Sequence, residues 1–100
     1  ILYTIEKGDQ KMKGIITVVG KDRVGIIAEV CTLLSKKNIN ILDISQSITA
    51  GYFHMMMIVD MEGADVQFHQ VAHELDQVGE KLGVQIKLQS EDIFQAMHRI

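Results

Sequence analysis

Residues 14–45 read GIITVVGKDRVGIIAEVCTLLSKKNINILDIS, and the order of patterns inside them decides the fold. Ile15, Ile16, Val18 and Val19 make a β-branched run that is apolar on both faces, which predicts a strand central in a sheet. Lys21, Asp22 and Arg23 break the run. From Ile26 the period lengthens, with Ile26, Ile27, Val30, Leu33 and Leu34 at helical spacing and Glu29, Thr32 and Ser35 between them. Lys36 and Lys37 stand where the negative end of a helix dipole favours cations, and Asn38 ends the pattern. Then the period drops to two. Leu42, Ile44, Ile48 and Ala50 share one face, and Asp43, Ser45, Ser47 and Thr49 the other, with only Gln46 out of place, so a half-buried second strand is expected.

The rest of the chain repeats this order. Gly51 permits a reversal into YFHMMMIVDM, residues 52–61, where Phe53, Met55, Met57, Val59 and Met61 fall on one face. A second amphipathic helix is read from Asp65, through Phe68, Val71, Ala72, Leu75, Val78 and Leu82, to a stop at Gly83. Val84, Ile86 and Leu88 alternate with Gln85, Lys87 and Gln89 in a fourth strand. Ser90 caps an expected short terminal helix, with Glu91 and Asp92 in its first turn and His98 and Arg99 at its end. Two βαβ units in this order predict an α+β fold, a ferredoxin-like βαββαβ sandwich with both main helices on one face of an antiparallel sheet and a short C-terminal helix. The face away from the helices then presents Ile15 and Val19, or Met56 and Ile58, and calls for a partner.

With 100 residues and 47% hydrophobic content, the chain is sized for one core. Residues 1–11 read as an N-terminal extension, with Met12 opening a single domain over residues 12–100. No apolar run approaches the length of a membrane helix, so a cytoplasmic protein without a membrane partner is expected. The only cysteine, Cys31, sits among Ile27, Val30 and Leu34 and reads as a buried core thiol. Residues 1–37 hold seven Lys or Arg against four Asp or Glu, while residues 38–100 hold three against nine, and this balance argues against a nucleic-acid partner. His69 and His73 with Asp76 and Glu80 share a helix face, but it lies opposite Phe68, Leu75 and Leu82 and reads as solvated surface, so no metal and no cofactor are assigned. His54 and His98 read as surface or interface residues, and the Met55–Met57 run as strand, partly core.

The junction VVGKDRVGIIAEV, residues 18–30, is the candidate site. At a strand-to-helix turn the first amides of the helix lack internal partners and carry the positive end of its dipole, a combination that suits a carboxylate or phosphate. Gly25 admits a ligand close to the backbone, and Asp22 either caps the helix or faces an ammonium group. The segment GKDRVGIIAEV resembles the Asp-Arg-x-Gly-Ile segment of ACT domains, and NINILDI resembles their second strand. The resemblance runs from Met12 to Ile100. It is strongest to uncharacterised stand-alone bacterial ACT-domain proteins and weaker to the ACT segments of the glycine-cleavage repressor and formyltetrahydrofolate deformylase.

That resemblance implies a regulatory, non-enzymatic homodimer that binds an amino acid between the first loop and a neighbouring subunit. Carried over by position, Asp22, Arg23, Gly25 and Ile26 match the loop and helix start, and Asn40 and Asp43 match the polar positions of the second strand. Val24 stands where many relatives have proline. The alternative is a dimerisation or docking module that regulates a partner enzyme without a ligand. Acylphosphatases share the strand order, but here Arg23 precedes the glycine and Asp22 would repel a phosphate. RNA-recognition motifs share it too, yet His54 and Met55 stand where a second stacking aromatic belongs.

Overall fold

The computed structural model describes residues 13–21, 24–64 and 67–91. The elements run β1 (Lys13–Lys21), α1 (Ile26–Lys36), β2 (Asn40–Thr49), β3 (Tyr52–Asp60), α2 (Phe68–Leu82) and β4 (Val84–Ser90). They build one four-stranded sheet in the order β2-β3-β1-β4, with β1 antiparallel to both its neighbours and β2 antiparallel to β3. This is the ferredoxin-like arrangement expected from the sequence. The N-terminal extension and the terminal helix, with Asp92, His98 and Arg99, lie outside the described residues.

Both central strands are apolar because both are buried on the helix side. Ile16 is registered between Met57 and Leu88, and Val18 between Met55 and Ile86. These residues join Val30 and Leu34 of α1 and Val71, Leu75 and Leu82 of α2 in one core. The methionine run splits as alternation requires, with Met55 and Met57 buried and Met56 on the other face. The helices are tied to one another by ion pairs from Lys37 to Glu74, 3.0 Å, and from Lys81 to Glu29, 3.2 Å.

The second helix packs closely on β4, because Gly79 has no side chain to hold it off. A Cβ at that position would lie 2.7 Å from the Val84 carbonyl oxygen. The helix stops at Gly83 in the left-handed conformation, φ 75°, as expected. It begins at Phe68 behind an extended Gln67, later than the sequence pattern suggested, and Asp65 and Val66 lie outside the described residues.

The second strand departs from its expected burial. It is an edge strand, and every residue on it is exposed except Ile41, which is half-buried. A bulge between Ile41 and Asp43 leaves Leu42 as the extra residue, so the alternation read across Leu42 and Ile44 is interrupted. Beyond the bulge, Ile44, Gln46 and Ile48 pair with Met57, Met55 and Phe53 and so lie on the helix side. Neither helix covers them, and Ile44 and Ile48 keep 43% and 61% of their surface exposed. Ala50 belongs to the reversal, not the strand, and holds φ 53° beside Gly51 at φ 81°, the double left-handed pair of a tight hairpin. On the face away from the helices Val19 and Met56 are exposed, Ile58 is half-buried and Ile15 is buried.

Candidate functional site

The loop between β1 and α1 stands at the end of the sheet where Lys21 pairs with Tyr52. Asp22 and Arg23 lie outside the described residues. Val24 is 97% exposed, and Gly25 caps the helix in the left-handed region at φ 98°. Its carbonyl receives the first helical hydrogen bond, from the Glu29 N–H at 2.9 Å. Ile26 then turns into the core. Among the described residues no side chain caps this helix start, so the amides of Ile26, Ile27 and Ala28 face outward past a residue whose added Cβ would meet nothing within 4 Å. The positive φ gives the backbone reason for glycine here, and among the described residues nothing crowds the position.

The opposite end of the sheet, at its β2 edge, carries a cleft of about 470 Å³ lined by Cys31, Leu34, Ser35, Asn38, Ile39, Asn40 and Ile41. It lies between the C-terminal half of α1 and the start of β2. Asn38 builds its rim by taking a left-handed φ of 60° and donating from Nδ2 to the Gly63 carbonyl, 2.9 Å, which ties this turn to the loop after β3. Cys31 is half-buried at the cleft wall, less enclosed than its neighbours in sequence suggested, because it sits on the flank of α1 that faces the uncovered β2.

The residues carried over from the sequence therefore fall into separate groups within one protomer. Gly25 and Ile26 mark the loop end. Asn40, opposite Asp60, lies at the far end and lines the cleft. Asp43, opposite Ile58, lies on the sheet face away from the helices, where its Oδ1 accepts from the Ile44 N–H at 2.8 Å. Sequence reasoning missed the cleft itself, since its lining runs from α1 through the turn at Asn38 into β2, and no single period joins residues across that change of structure. The nearest signal was Asn38, a residue type that tolerates positive φ at a helix end. His69, His73, Asp76 and Glu80 are all exposed along α2, and among the described residues no three His, Cys, Asp or Glu are grouped as metal ligands. His54 is exposed on the helix-free face and shares a hydrogen bond with the Ser47 hydroxyl, 3.1 Å from Nε2. Among the described residues no helix is long and apolar enough to cross a membrane.

Comparison with known proteins adds the family context. The ACT domain model matches residues 14–89. A UPF0237 protein of Bifidobacterium longum is 58% identical over 88 residues, covering 88% of this chain and 98% of the relative. Among solved structures, an ACT domain protein from Streptococcus pneumoniae superposes with a TM-score of 0.73 at 42% identity, covering 83% of this chain and 93% of that one. A structure described as a glycine cleavage system transcriptional repressor superposes with a TM-score of 0.71 at 25% identity, over 81% of this chain and 46% of that one.

Proposed function

The chain belongs to the ACT domain family, typically a ligand-binding regulatory module, and on that premise we propose a homodimer that binds an amino acid or a related small carboxylate and has no catalysis of its own. The observation that supports this reading is the division of the candidate site between the two ends of the sheet. The helix start at Gly25 lies at one end, beyond the inner strand β1, and the cleft holding Asn40 lies at the other, on the open β2 edge. If β2 of one copy pairs antiparallel with β2 of a second about a two-fold axis, each end of the edge meets the opposite end of its partner. The loop of one copy then faces the cleft of the other.

In that arrangement the carboxylate of the ligand meets the first amides of α1, favoured by the helix dipole, and Gly25 keeps the approach open. From the same loop, Asp22 is the group proposed to face the ammonium end and Arg23 the carboxylate end. Asn40 of the second copy supplies an amide to the ammonium group, and Leu34 and Ile41 give the cleft an apolar wall.

Isothermal calorimetry of the protein against each of the twenty amino acids tests this reading, with native mass spectrometry of freshly purified protein to catch a retained ligand. Stoichiometric binding that is lost in Asn40→Ala is the expected result. Wild-type protein that binds none of them and carries nothing through purification sinks it. A second reading, a dimerisation or docking module without a ligand, is favoured by β2 itself, whose exposed Leu42, Ile44 and Ile48 gain from a partner whether or not anything binds beside Gly25.

A further inference from the structure

The sheet face turned away from the helices is covered at one end and open at the other. Along β1, Ile15 is 5% exposed, Thr17 half-buried and Val19 51% exposed. The neighbouring strands repeat the gradient: Ile58 is half-buried where Met56 and Tyr52 are exposed, and Gln89 is half-buried where Gln85 is exposed. Flanking side chains do not account for it. Val19 lies between His54 and Gln85 on the same central strand, much as Ile15 lies between Ile58 and Gln89, and half of Val19 stays open. Among the described residues, Ile15 is also the one buried apolar side chain that stands outside the core beneath the helices. Its cover comes from elsewhere.

We infer that the cover is the C-terminal segment of the same chain, residues 92–100, lying as a helix across this face from β4 towards β2 with Ile93, Phe94, Met97 and Ile100 turned onto Ile15 and Ile58. The point of departure fits. β4 ends at Ser90, which pairs with Gly14 beside Ile15, and Glu91, the last residue described, already has helical backbone. The pattern fits as well: continued from Glu91 at about 100° per residue, the four apolar side chains fall in one stripe about 120° wide, and Gln95, His98 and Arg99 fall outside it.

Length and charge agree. A helix over residues 92–100 spans roughly 13.5 Å, and the three strand spacings from β4 to β2 come to roughly 14 Å. Such a helix ends at the side of the face that carries Asp43 and Asp60, with His98 and Arg99 in its last turn. Residues 1–12 join the sheet at the same end, but the polar stretch EKGDQK, residues 6–11, stands between their apolar residues and β1. Polar side chains make poor cover for an isoleucine.

The cover stops short of Val19, Met56 and Tyr52, so each copy closes one end of this face by itself and leaves the other end to solvent. This is a property of a single copy and does not rest on the homodimer reading.

Thiol labelling of the full chain tests the cover in a Cys31→Ser background. With the segment docked, Ile15→Cys should react with a maleimide at least about thirtyfold more slowly than Val19→Cys, since it reacts only when the cover opens. The double substitution Ile93→Ser, Met97→Ser should raise the Ile15→Cys rate at least about tenfold and leave Val19→Cys unchanged. Val18→Cys, on the helix side of the same strand, reports the fold and should stay unreactive throughout. A second reporter leaves the stripe apolar: Phe94→Trp gives the chain its only tryptophan, whose emission should be blue-shifted and shielded from iodide. A tryptophan quenched as freely as in urea overturns the inference, even where the double substitution unfolds the protein. Ile15→Cys that labels as fast as Val19→Cys overturns it, and so does slow labelling that survives loss of the stripe in a folded protein. Labelling released by deleting residues 1–11 instead gives the cover to the N-terminus, and protection that fades on dilution gives it to a second copy. Either result also overturns the inference.

Discussion

The sheet has two edges, and they are built in opposite ways. The β4 edge is a seven-residue strand pressed under α2, with Gly79 letting the helix backbone come against Val84. The β2 edge is a ten-residue strand that no helix covers, exposed on both faces, and interrupted by a bulge near its start. Closing an edge with a helix removes it from contact with other chains, and leaving one long and apolar offers it to them. The difference separates two uses of an edge: β4 is packed against α2 of its own chain, and β2 keeps its apolar side chains open to solvent.

The sharpest way to break the contrast is at the closed edge. Gly79→Ala places a methyl group against the Val84 carbonyl, an obstacle made of backbone that has nowhere to yield. Urea unfolding should show a loss of about 3 kcal/mol, and a change near zero would mean that α2 rides loosely on β4.

Gly25→Ala comes next in size. There the added methyl meets nothing within 4 Å, so its cost is the left-handed φ of 98° alone, about 1–2 kcal/mol in the same measurement. The comparison separates two uses of glycine, one for close approach and one for backbone conformation. A neutral result would show that the loop adopts another conformation without loss.

At the tip of the open edge the expected sign reverses. Ala50 holds φ 53° in a turn that favours asparagine before glycine. Ala50→Asn should raise the unfolding free energy by about 0.5–1 kcal/mol, read from the thermal midpoint at fixed protein concentration. A loss of stability would mean that the methyl group of Ala50 serves a contact in the assembly.

The smallest effect on the folded protomer belongs to Ile48→Lys. With 61% of Ile48 exposed, the stability of a single copy should change by no more than about 0.5 kcal/mol. Its mass in light scattering should nevertheless fall from dimer to monomer, since the substitution sets a charge on the edge proposed to meet the second copy. A dimer that survives Ile48→Lys unchanged would move the interface elsewhere, and the contrast between the edges would lose its functional meaning.

Much of this was legible in the sequence for a physical reason. Burial on one side or both leaves a period, and the periods of β1, β3, α1 and α2 are those of elements packed within a single chain. The same signal misled at β2. Its alternation was read as half-burial, and in the protomer Ile44 and Ile48 are open to solvent. An apolar alternation gives the faces of a strand, without saying whether either face is covered.

The candidate site divides along the same line. The sequence by itself determined the order of elements, the single core, and the glycine at the start of α1, because these follow from local periodicity and from the backbone demands of a turn. Only the tertiary structure decided that Gly25 holds a positive φ with open space beside it, that Asn40 borders a cleft at the far end of the edge, and that Asp43 faces away from the helices and holds the Ile44 amide. Those facts depend on strand order and on one bulged residue, Leu42, and a single inserted residue exchanges the faces of everything beyond it.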